Sequence, residues 1–255
     1  MASAPETDWK LAVVVVVLVV VAASTSRLAG LGVGRDHVTA ACRAVVQLAA
    51  AALVIAAVLE SLWWSAAFAG LMFAVATATA HRRIGASASQ LPWVAFAIAA
   101  GAAPVIALIL GSGVIPLNGA GVIPIAGILI GGAMTACTLT GRRAFDELSA
   151  HHGAYQAALA LGLPSAAAAY LVIQPTAREA LTPGLDQTRT VGLVTLPGAF
   201  VGVLLGGGTA MQAGAAQVLV LIGLLAAQAM TTAALLRLIA TGRVVRVDLH
   251  AIYPR

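Results

Sequence analysis

Charged side chains are scarce in this chain of 255 residues, where Asp, Glu, Lys and Arg together account for 9% of positions. An ordinary soluble domain carries about 25% charged residues. Hydrophobic residues make up 61% of the chain, and its mean hydropathy is +0.99. So few charges cannot cover a surface that faces water, whereas a surface that faces lipid needs none. The composition therefore excludes a soluble globule and predicts an all-α, polytopic integral membrane protein.

Lysine and cysteine are also scarce, and their scarcity excludes several kinds of site. The single lysine, Lys10, follows no glycine-rich loop, so the chain lacks a P-loop for ATP. Lys10 also precedes the first apolar run, which excludes a retinal-type Schiff base inside a span. Cys42 and Cys137 stand apart, and neither a zinc site nor a disulfide framework is supported. We therefore predict a chain that is not an enzyme and carries no cofactor of its own.

Seven apolar runs predict about seven transmembrane helices, since about 20 residues cross a bilayer as one helix. The whole chain, 1–255, is predicted to form a single transmembrane domain. Within it, 142–188 is the one sizeable soluble segment. The predicted spans are 11–23, 41–59, 62–80, 92–112, 121–140, 189–209 and 213–240.

The basic residues fall almost entirely on one side of these spans. With the N-terminus outside, 13 of the 14 basic residues lie in cytoplasmic segments, and Lys10 alone lies outside. This asymmetry matches the positive-inside rule. It predicts a multi-pass protein of the cell's inner (plasma) membrane with an external N-terminus and a cytoplasmic C-terminus. The sequence pI of about 10.0 is explained by this topology, and no nucleic-acid partner is predicted, because the charges are spread over separate segments.

The segment 142–188 is predicted to form two short cytoplasmic helices with a break at Gly162-Leu163-Pro164. Its Gln156-Ala157-Ala158, followed after three residues by Gly162, resembles the EAA loop of membrane subunits in ABC importers. In such subunits this loop docks in a groove of the ATPase and passes its motion to the spans. The resemblance implies that Gln156, Ala157, Ala158 and Gly162 couple the chain to an ATPase. The alternative is an amphipathic helix that lies on the membrane surface.

Prolines and glycines recur in the fifth and sixth predicted spans. Proline breaks the hydrogen-bond ladder of a helix, and in a membrane the freed carbonyls need protein or water partners. Transporters place such breaks at substrate sites, and tight helix packing is the alternative. Arg43 and Gln47 add polar groups to the second span, unless Arg43 extends to the cytoplasmic interface. The predicted translocation path comprises Arg43, Gln47, Pro124, Gly127, Gly131, Met134, Pro197, Gly198 and Gly202.

Two sulfur-containing residues are candidate metal ligands. Met134 and Cys137 lie three residues apart, and hence on one face of the fifth span. Their sulfur atoms suit a soft metal ion, and ordinary core packing is the alternative. No Cys/His cluster accompanies them, so the sequence leaves the metal ligands open.

Several blocks of the sequence resemble the FetB-type permease family. They lie in consistent order between about residues 40 and 240, at Arg43–Leu48, Val122–Gly127, Thr190–Gly198 and Gln217. The resemblance implies a transmembrane subunit of an ABC transporter that works with a separate cytoplasmic ATPase, where ATP and Mg bind. Bacterial members are associated with iron export, and plant relatives with aluminium tolerance. We therefore expect a homodimeric permease that exports iron or another metal ion, or a complex of the ion.

Two other functions stay open at this point. One is an ABC permease for an organic solute, and the other is a membrane scaffold or sensor that has the same fold and transports nothing. ATP hydrolysis stimulated by a substrate would separate both permeases from the scaffold. The identity of the substrate and the direction of transport do not follow from the residues alone.

Overall fold

The computed structural model describes residues 8–249, which form helices joined by turns. The chain divides after Val58 into two compact units. The first unit holds α1 (Trp9–Leu28) and most of α2 (Gly34–Glu60). Gly30 and Gly32, at φ of 66° and 72°, lie in the turn between these helices, where a residue without a Cβ adopts the left-handed conformation at little cost.

The second unit holds the remaining described helices. In chain order these are α3 (Leu62–Ile84), α4 (Leu91–Gly111), α5 (Gly119–Ala150), α6 (His152–Ala160), α7 (Ser165–Ile173), α8 (Ala177–Thr190), α9 (Gly198–Leu205) and α10 (Ala210–Ala240). Short 3₁₀ turns lie at Ala88–Gln90, Gln174–Thr176 and Val247–Leu249. Polar caps fix the starts of two long helices. The Asn118 side chain accepts a hydrogen bond from the Gly121 N–H at 2.9 Å, and Thr209 forms a capping box with Gln212 at the start of α10.

Six helices in residues 8–249 are long and apolar enough to cross a membrane, namely α1, α2, α3, α4 with the turn before it, α5 and α10. They correspond to six of the seven predicted spans, and the all-α polytopic fold class is confirmed. These helices form because the sequence offers apolar runs of about 20 residues or more, in which a lipid-facing side needs no charge.

Glycines set the close packing of the second unit. A Cβ built on Gly141 of α5 would lie 2.7 Å from the Ile84 side chain of α3. A Cβ on Gly101 of α4 would overlap Thr231 of α10. Backbones approach this closely in membranes because van der Waals packing drives helix association there.

These contacts and a few polar ones fix the helix directions. A Cβ on Gly132 of α5 would overlap Leu224 of α10, and eight residues later in both helices the Thr140 and Thr232 hydroxyls lie 3.1 Å apart, so α5 and α10 run side by side in the same direction. The Gln90 side chain, just before α4, accepts a hydrogen bond from the Val245 N–H, just after α10, at 3.0 Å. The helix α4 therefore runs against α10.

One end of the second unit collects most of its arginines. We define the arginine end as the end at which α3, α5 and α10 finish and α4 begins. The Arg243 guanidinium stacks there over the Trp93 ring at 4.6 Å, while Trp63 and Trp64 are exposed at the opposite end. Aromatic residues at both ends match the belts found at membrane interfaces. The arginines at this end are Arg82, Arg83, Arg142, Arg143, Arg237, Arg243 and Arg246.

The sixth predicted span, over 189–209, is not one helix, and the sequence prediction is wrong on this point. The helix α8 ends at Thr190, and α9 begins at Gly198 and has 8 residues. Gly192 turns the chain at a φ of 81°, and Pro197 has no N–H with which to continue a helix. At 1.5 Å per residue α9 extends about 12 Å, which is too short to cross a bilayer alone.

The helices α8 and α9 together complete this crossing. A Cβ on Gly184 of α8 would overlap the Gln228 side chain of α10, so α8 lies beside the middle of α10. The start of α9 lies near Gln217, in the first half of α10. Because α5 ends at the arginine end and α10 begins at the opposite end, the chain between them crosses the bundle once. We call α8, the turn 191–197 and α9 the broken crossing.

The predicted cytoplasmic segment 142–188 is helical over most of its length, and helices enter it from both sides. The helix α5 continues to Ala150, and α8 begins at Ala177 and packs on α5 and α10. The residues that remain, 151–176, carry α6 and α7 at the arginine end.

The segment after α10 is held against the arginine end by polar contacts. The Arg246 guanidinium donates to Asp146 Oδ1 at 2.6 Å and to Asp248 Oδ1 at 2.8 Å. The Val247 N–H donates to the Gly85 carbonyl at 3.2 Å. The hydrogen bond from Arg246 lowers the pKa of Asp248, and the same bond raises the pKa of Arg246. We call this set of contacts the C-terminal clasp.

Candidate functional site

A cavity of about 810 Å³ lies between α5, the broken crossing and α10. Its walls are mainly apolar, and two glutamine side chains, Gln187 and Gln217, supply the polar groups. A volume of this size and a lining with few polar groups are typical of sites for small molecules. Four residues of the predicted translocation path line it together, namely Pro124, Pro197, Gly198 and Gly202.

The glycines of α9 keep this cavity open. A Cβ built on Gly198 or Gly202 would meet no heavy atom within 4 Å. Within residues 8–249, neither glycine makes a tight contact with another helix. Larger side chains at these two positions would project into open space beside Gln217.

Pro124 leaves a backbone acceptor in the cavity wall. Proline has no N–H, so the Ala120 carbonyl four residues earlier lacks its usual partner in α5. Ala120 lines the cavity. In a membrane such a carbonyl needs another donor, a cation or water. The proline break thus places an oxygen acceptor where the sequence predicts the path.

Gln217 is a functional candidate that the sequence prediction of site residues missed. It is 4% exposed, and its Oε1 has no hydrogen-bond partner among residues 8–249. A buried acceptor without a donor costs free energy unless a ligand or water satisfies it. The signal that could have found it is an amide side chain inside an apolar span, which is a functional candidate by default.

Gln228 is a second buried glutamine of α10 whose side-chain oxygen has no partner among residues 8–249. It follows Gln217 by 11 residues and therefore lies on nearly the same helix face. Gly132 of α5 and Gly184 of α8 lie against it, and a side chain at either position would clash with Gln228 or its neighbour Leu224. Two unpaired amide oxygens thus lie along one face of α10.

The predicted coupling residues lie on the short helices at the arginine end. Gln156 and Ala157 are exposed on α6, while Ala158 is buried. Gly162 lies in the turn after α6 at a φ of 88°, with open space around its Cβ position. Leu161, beside it, is 82% exposed. This turn therefore presents a small apolar tip.

The remaining predicted residues lie elsewhere. Gly127 packs on Met72 of α3 and Gly131 has open space around it, and neither lines the cavity. Arg43 and Gln47 are exposed on α2 in the first unit. Cys137 is fully buried in the core, against which Met134 packs. Among residues 8–249, no group of three or more His, Cys, Asp or Glu side chains could hold a metal ion. The transport and metal roles of these residues stay predictions.

Comparison with known proteins identifies the family. The profile of an uncharacterised protein family, UPF0014, matches residues 9–242. The chain belongs to the UPF0014 family. No solved structure matches the chain.

Three relatives show the range of the UPF0014 family. The rice (Oryza sativa subsp. japonica) UPF0014 membrane protein STAR2 is 30% identical over 208 residues, which cover 79% of this chain and 72% of that protein. The Bacillus subtilis (strain 168) UPF0014 membrane protein YjkA is 29% identical over 206 residues, or 78% and 81% of the two chains. Escherichia coli (strain K12) FetB, named a probable iron export permease protein, is 34% identical over 136 residues, or 53% and 52%.

These matches place the resemblance to FetB in a wider group. FetB is one relative, and the other two are named only as UPF0014 membrane proteins. The chain is thus a multi-pass membrane protein related to permease-type proteins.

Proposed function

We propose that the chain is the transmembrane subunit of an ABC transporter, which works as a homodimer with a separate cytoplasmic ATPase. The ATPase binds ATP and Mg, and this chain supplies the path. The name of the E. coli relative supports a permease role. The partial EAA pattern on α6 supports the ATPase contact.

The observation that carries this proposal is a helical connection from the exposed tip to the cavity. The helix α7 ends at Ile173, the 3₁₀ turn Gln174–Thr176 follows at once, and α8 begins at Ala177. The helix α8 then leads to Gln187 in the cavity wall. Because no irregular loop separates α7, the 3₁₀ turn and α8, a displacement of α7 by an ATPase docked at the tip before it would move the cavity wall.

The coupling surface is tested at its exposed tip. Gly162 is a poor position for the test, because its positive φ would strain any other residue. We expect Leu161→Arg and Ala157→Arg to abolish co-purification with the ATPase and to leave membrane insertion intact, since a bulky charge prevents an apolar helix tip from entering a groove. Val114→Arg, at an exposed position at the opposite end, is the matched control and should retain the ATPase. Parental ATPase recovery with all three variants would contradict the proposal.

The proposed cargo is iron or another metal ion, or a complex of the ion, moved out of the cell. The support is the name of the E. coli relative as an iron export permease. A strain without this chain should accumulate iron relative to the parent strain during growth in iron-rich medium, as measured by elemental analysis of the cells. Equal metal contents in both strains would contradict iron export.

An organic solute is the second candidate cargo, and the lining of the cavity favours it. Apolar side chains make up most of the walls, and the amides of Gln187 and Gln217 are neutral. Such a lining suits an organic molecule or a metal wrapped in an organic ligand better than a bare ion. Stimulation of ATP hydrolysis in the reconstituted complex by ferrous ion, by an iron chelate or by the metal-free ligand separates these cargoes. If the chain bound no ATPase and none of these cargoes stimulated ATP hydrolysis, the result would favour a scaffold or sensor.

A further inference from the structure

The helix α8 carries charge at a depth where a lipid-facing helix would be apolar. Its Gly184 lies against Gln228, and its Gln187 shares the cavity wall with Leu224 of α10. The apolar part of α10 extends between Gln212 and Arg237, so its midpoint lies at positions 224 and 225. Gly184 and Gln187 are therefore close to the middle of the membrane, with Asp186 between them.

Four polar side chains of α8 share one face of the helix. Glu179, Thr182, Asp186 and Arg189 follow at intervals of three, four and three residues, which is helical spacing, and all four are exposed. Ala180 and Gly184, on the opposite side, are buried against the bundle. We call the four exposed residues the α8 polar face.

Lipid is the wrong environment for this face. Charged residues inside a membrane face the interior of a bundle or a water-filled space, because hydrocarbon cannot solvate them. The Arg189 Nη1 and the Asp186 Oδ1 lie 3.3 Å apart, with side chains 70% and 58% exposed. An ion pair with this N–O distance and this exposure to solvent adds little stability even in water. The exposed side of α8 is therefore not a surface that faces lipid.

The adjoining cavity supplies further oxygen acceptors. Gln187, next to Asp186, lines it, and so does Gln217, whose buried Oε1 lacks a partner among the described residues. Ala120, whose carbonyl loses its usual helical donor at Pro124, also lines this wall. Carboxylate, amide and backbone carbonyl oxygens are the ligand types to which oxygen-preferring cations bind.

We propose that the α8 polar face lines the water-filled inner half of the transport path, and that Asp186 receives an oxygen-preferring cation there. This inference rests on the proposed transport function and names its cargo site. Arg189 balances the Asp186 charge when no cation is present and releases it when one arrives.

Cysteine accessibility tests the aqueous path without any ATPase. The native cysteines are first removed with Cys42→Ser and Cys137→Ala. In this background Thr182→Cys and Gln187→Cys should each react with a membrane-impermeant, water-soluble thiol reagent in inside-out vesicles. Val218→Cys and Ile222→Cys on α10 are exposed controls that should face lipid and stay unlabelled. Failure of the two α8 positions to label, or equal labelling of all four, would overturn the aqueous path.

Manganese binding tests the role of Asp186. Mn²⁺ prefers oxygen ligands and reports binding by electron paramagnetic resonance of the full chain in nanodiscs. Asp186→Asn should weaken apparent Mn²⁺ affinity at least about tenfold, and Arg189→Gln should strengthen it. Glu147→Gln removes a carboxylate from α5, outside the α8 polar face, and should bind like the parent. Equal binding by the parent and Asp186→Asn would overturn the cation site. Both measurements stand apart from ATP hydrolysis, so their failure is distinguishable from failure of the ATPase proposal.

Discussion

Glycines in this chain have two opposite uses, and single substitutions can separate them. Gly101 permits close contact, since a Cβ there would lie 2.9 Å from the Thr231 N and overlap the Thr231 hydroxyl. Gly198 and Gly202 instead border open space. The sequence shows the same residue type in each case, and only the packing distinguishes the uses.

Gly101→Ala should destabilise the protein by about 1–3 kcal/mol, because the added methyl group forces α4 and α10 apart. Gly111→Ala is the matched control on the same helix, with no heavy atom within 4 Å of the added Cβ. It should leave stability unchanged or slightly raise it, since alanine favours the helical conformation. Thermal unfolding of both variants in the same detergent checks this difference. Equal unfolding midpoints would show that the contact at Gly101 relaxes freely.

Gly202→Leu should block transport and leave insertion and stability intact. The leucine projects into the cavity, where it meets no heavy atom in the first 4 Å and fills space needed by the cargo. Gly70→Leu on α3 adds the same side chain at another open, exposed position, and should transport like the parent. Flux in vesicles measures the effect. Parental flux through Gly202→Leu would mean that the cargo takes another route.

At the scale of elements, hydropathy predicts the long helices well and the broken crossing poorly. The runs at 62–80 and 213–240 correspond to α3 and α10, because an apolar stretch of that length has one stable form in a bilayer. The helix α8 is polar along one face, so its composition points to the cytoplasm. Its position beside α10 depends on the contact between Gly184 and Gln228, which no local pattern encodes.

The candidate site, too, could be predicted from the sequence only in part. Pro124, Pro197, Gly198 and Gly202 could be predicted, since prolines and glycines in spans carry their own backbone chemistry. Gln217 is visible in the sequence as an amide inside an apolar span, but the burial of its unpaired oxygen and its place in the cavity wall follow only from the packing. The roles of both groups in transport stay predictions until they are measured.

The C-terminal clasp is an element whose stability should depend on pH. Arg246→Gln removes the bonds to Asp146 and Asp248 and should lower stability by less than about 1 kcal/mol, since both carboxylates are largely exposed. Arg83→Gln, an exposed arginine at the same end, is the control.

The sign of the pH effect follows from the lowered pKa of Asp248. The contribution of this carboxylate is present above its unfolded pKa of about 3.9 and is lost as the pH falls through the lower folded value. The difference in unfolding midpoint between the parent and Arg246→Gln should therefore be constant from about pH 5 to 8 and shrink below about pH 4. A difference that grew on acidification would contradict the clasp.

At the scale of the molecule, the arginine end predicts the orientation in the membrane. Arginine-rich ends face the cytoplasm, and α5 and α10 both finish there. Six long helices and one broken crossing give an odd number of passes. A reporter fused at the C-terminus should be active in the cytoplasm, and one fused at the N-terminus should be active outside. Both reporters on the same side would show that the broken crossing does not span the membrane.

ATP-driven flux through the purified complex tests the central claim most directly. The chain is reconstituted in proteoliposomes with its ATPase, and movement of radioactive iron, alone or chelated, is followed with and without ATP. We predict flux that requires ATP, is lost with Leu161→Arg and Gly202→Leu, and is retained with Val114→Arg and Gly70→Leu. An ATPase that binds the chain and hydrolyses ATP without moving either form of iron would contradict metal export. Iron movement at the same rate without ATP would contradict an ABC transporter altogether.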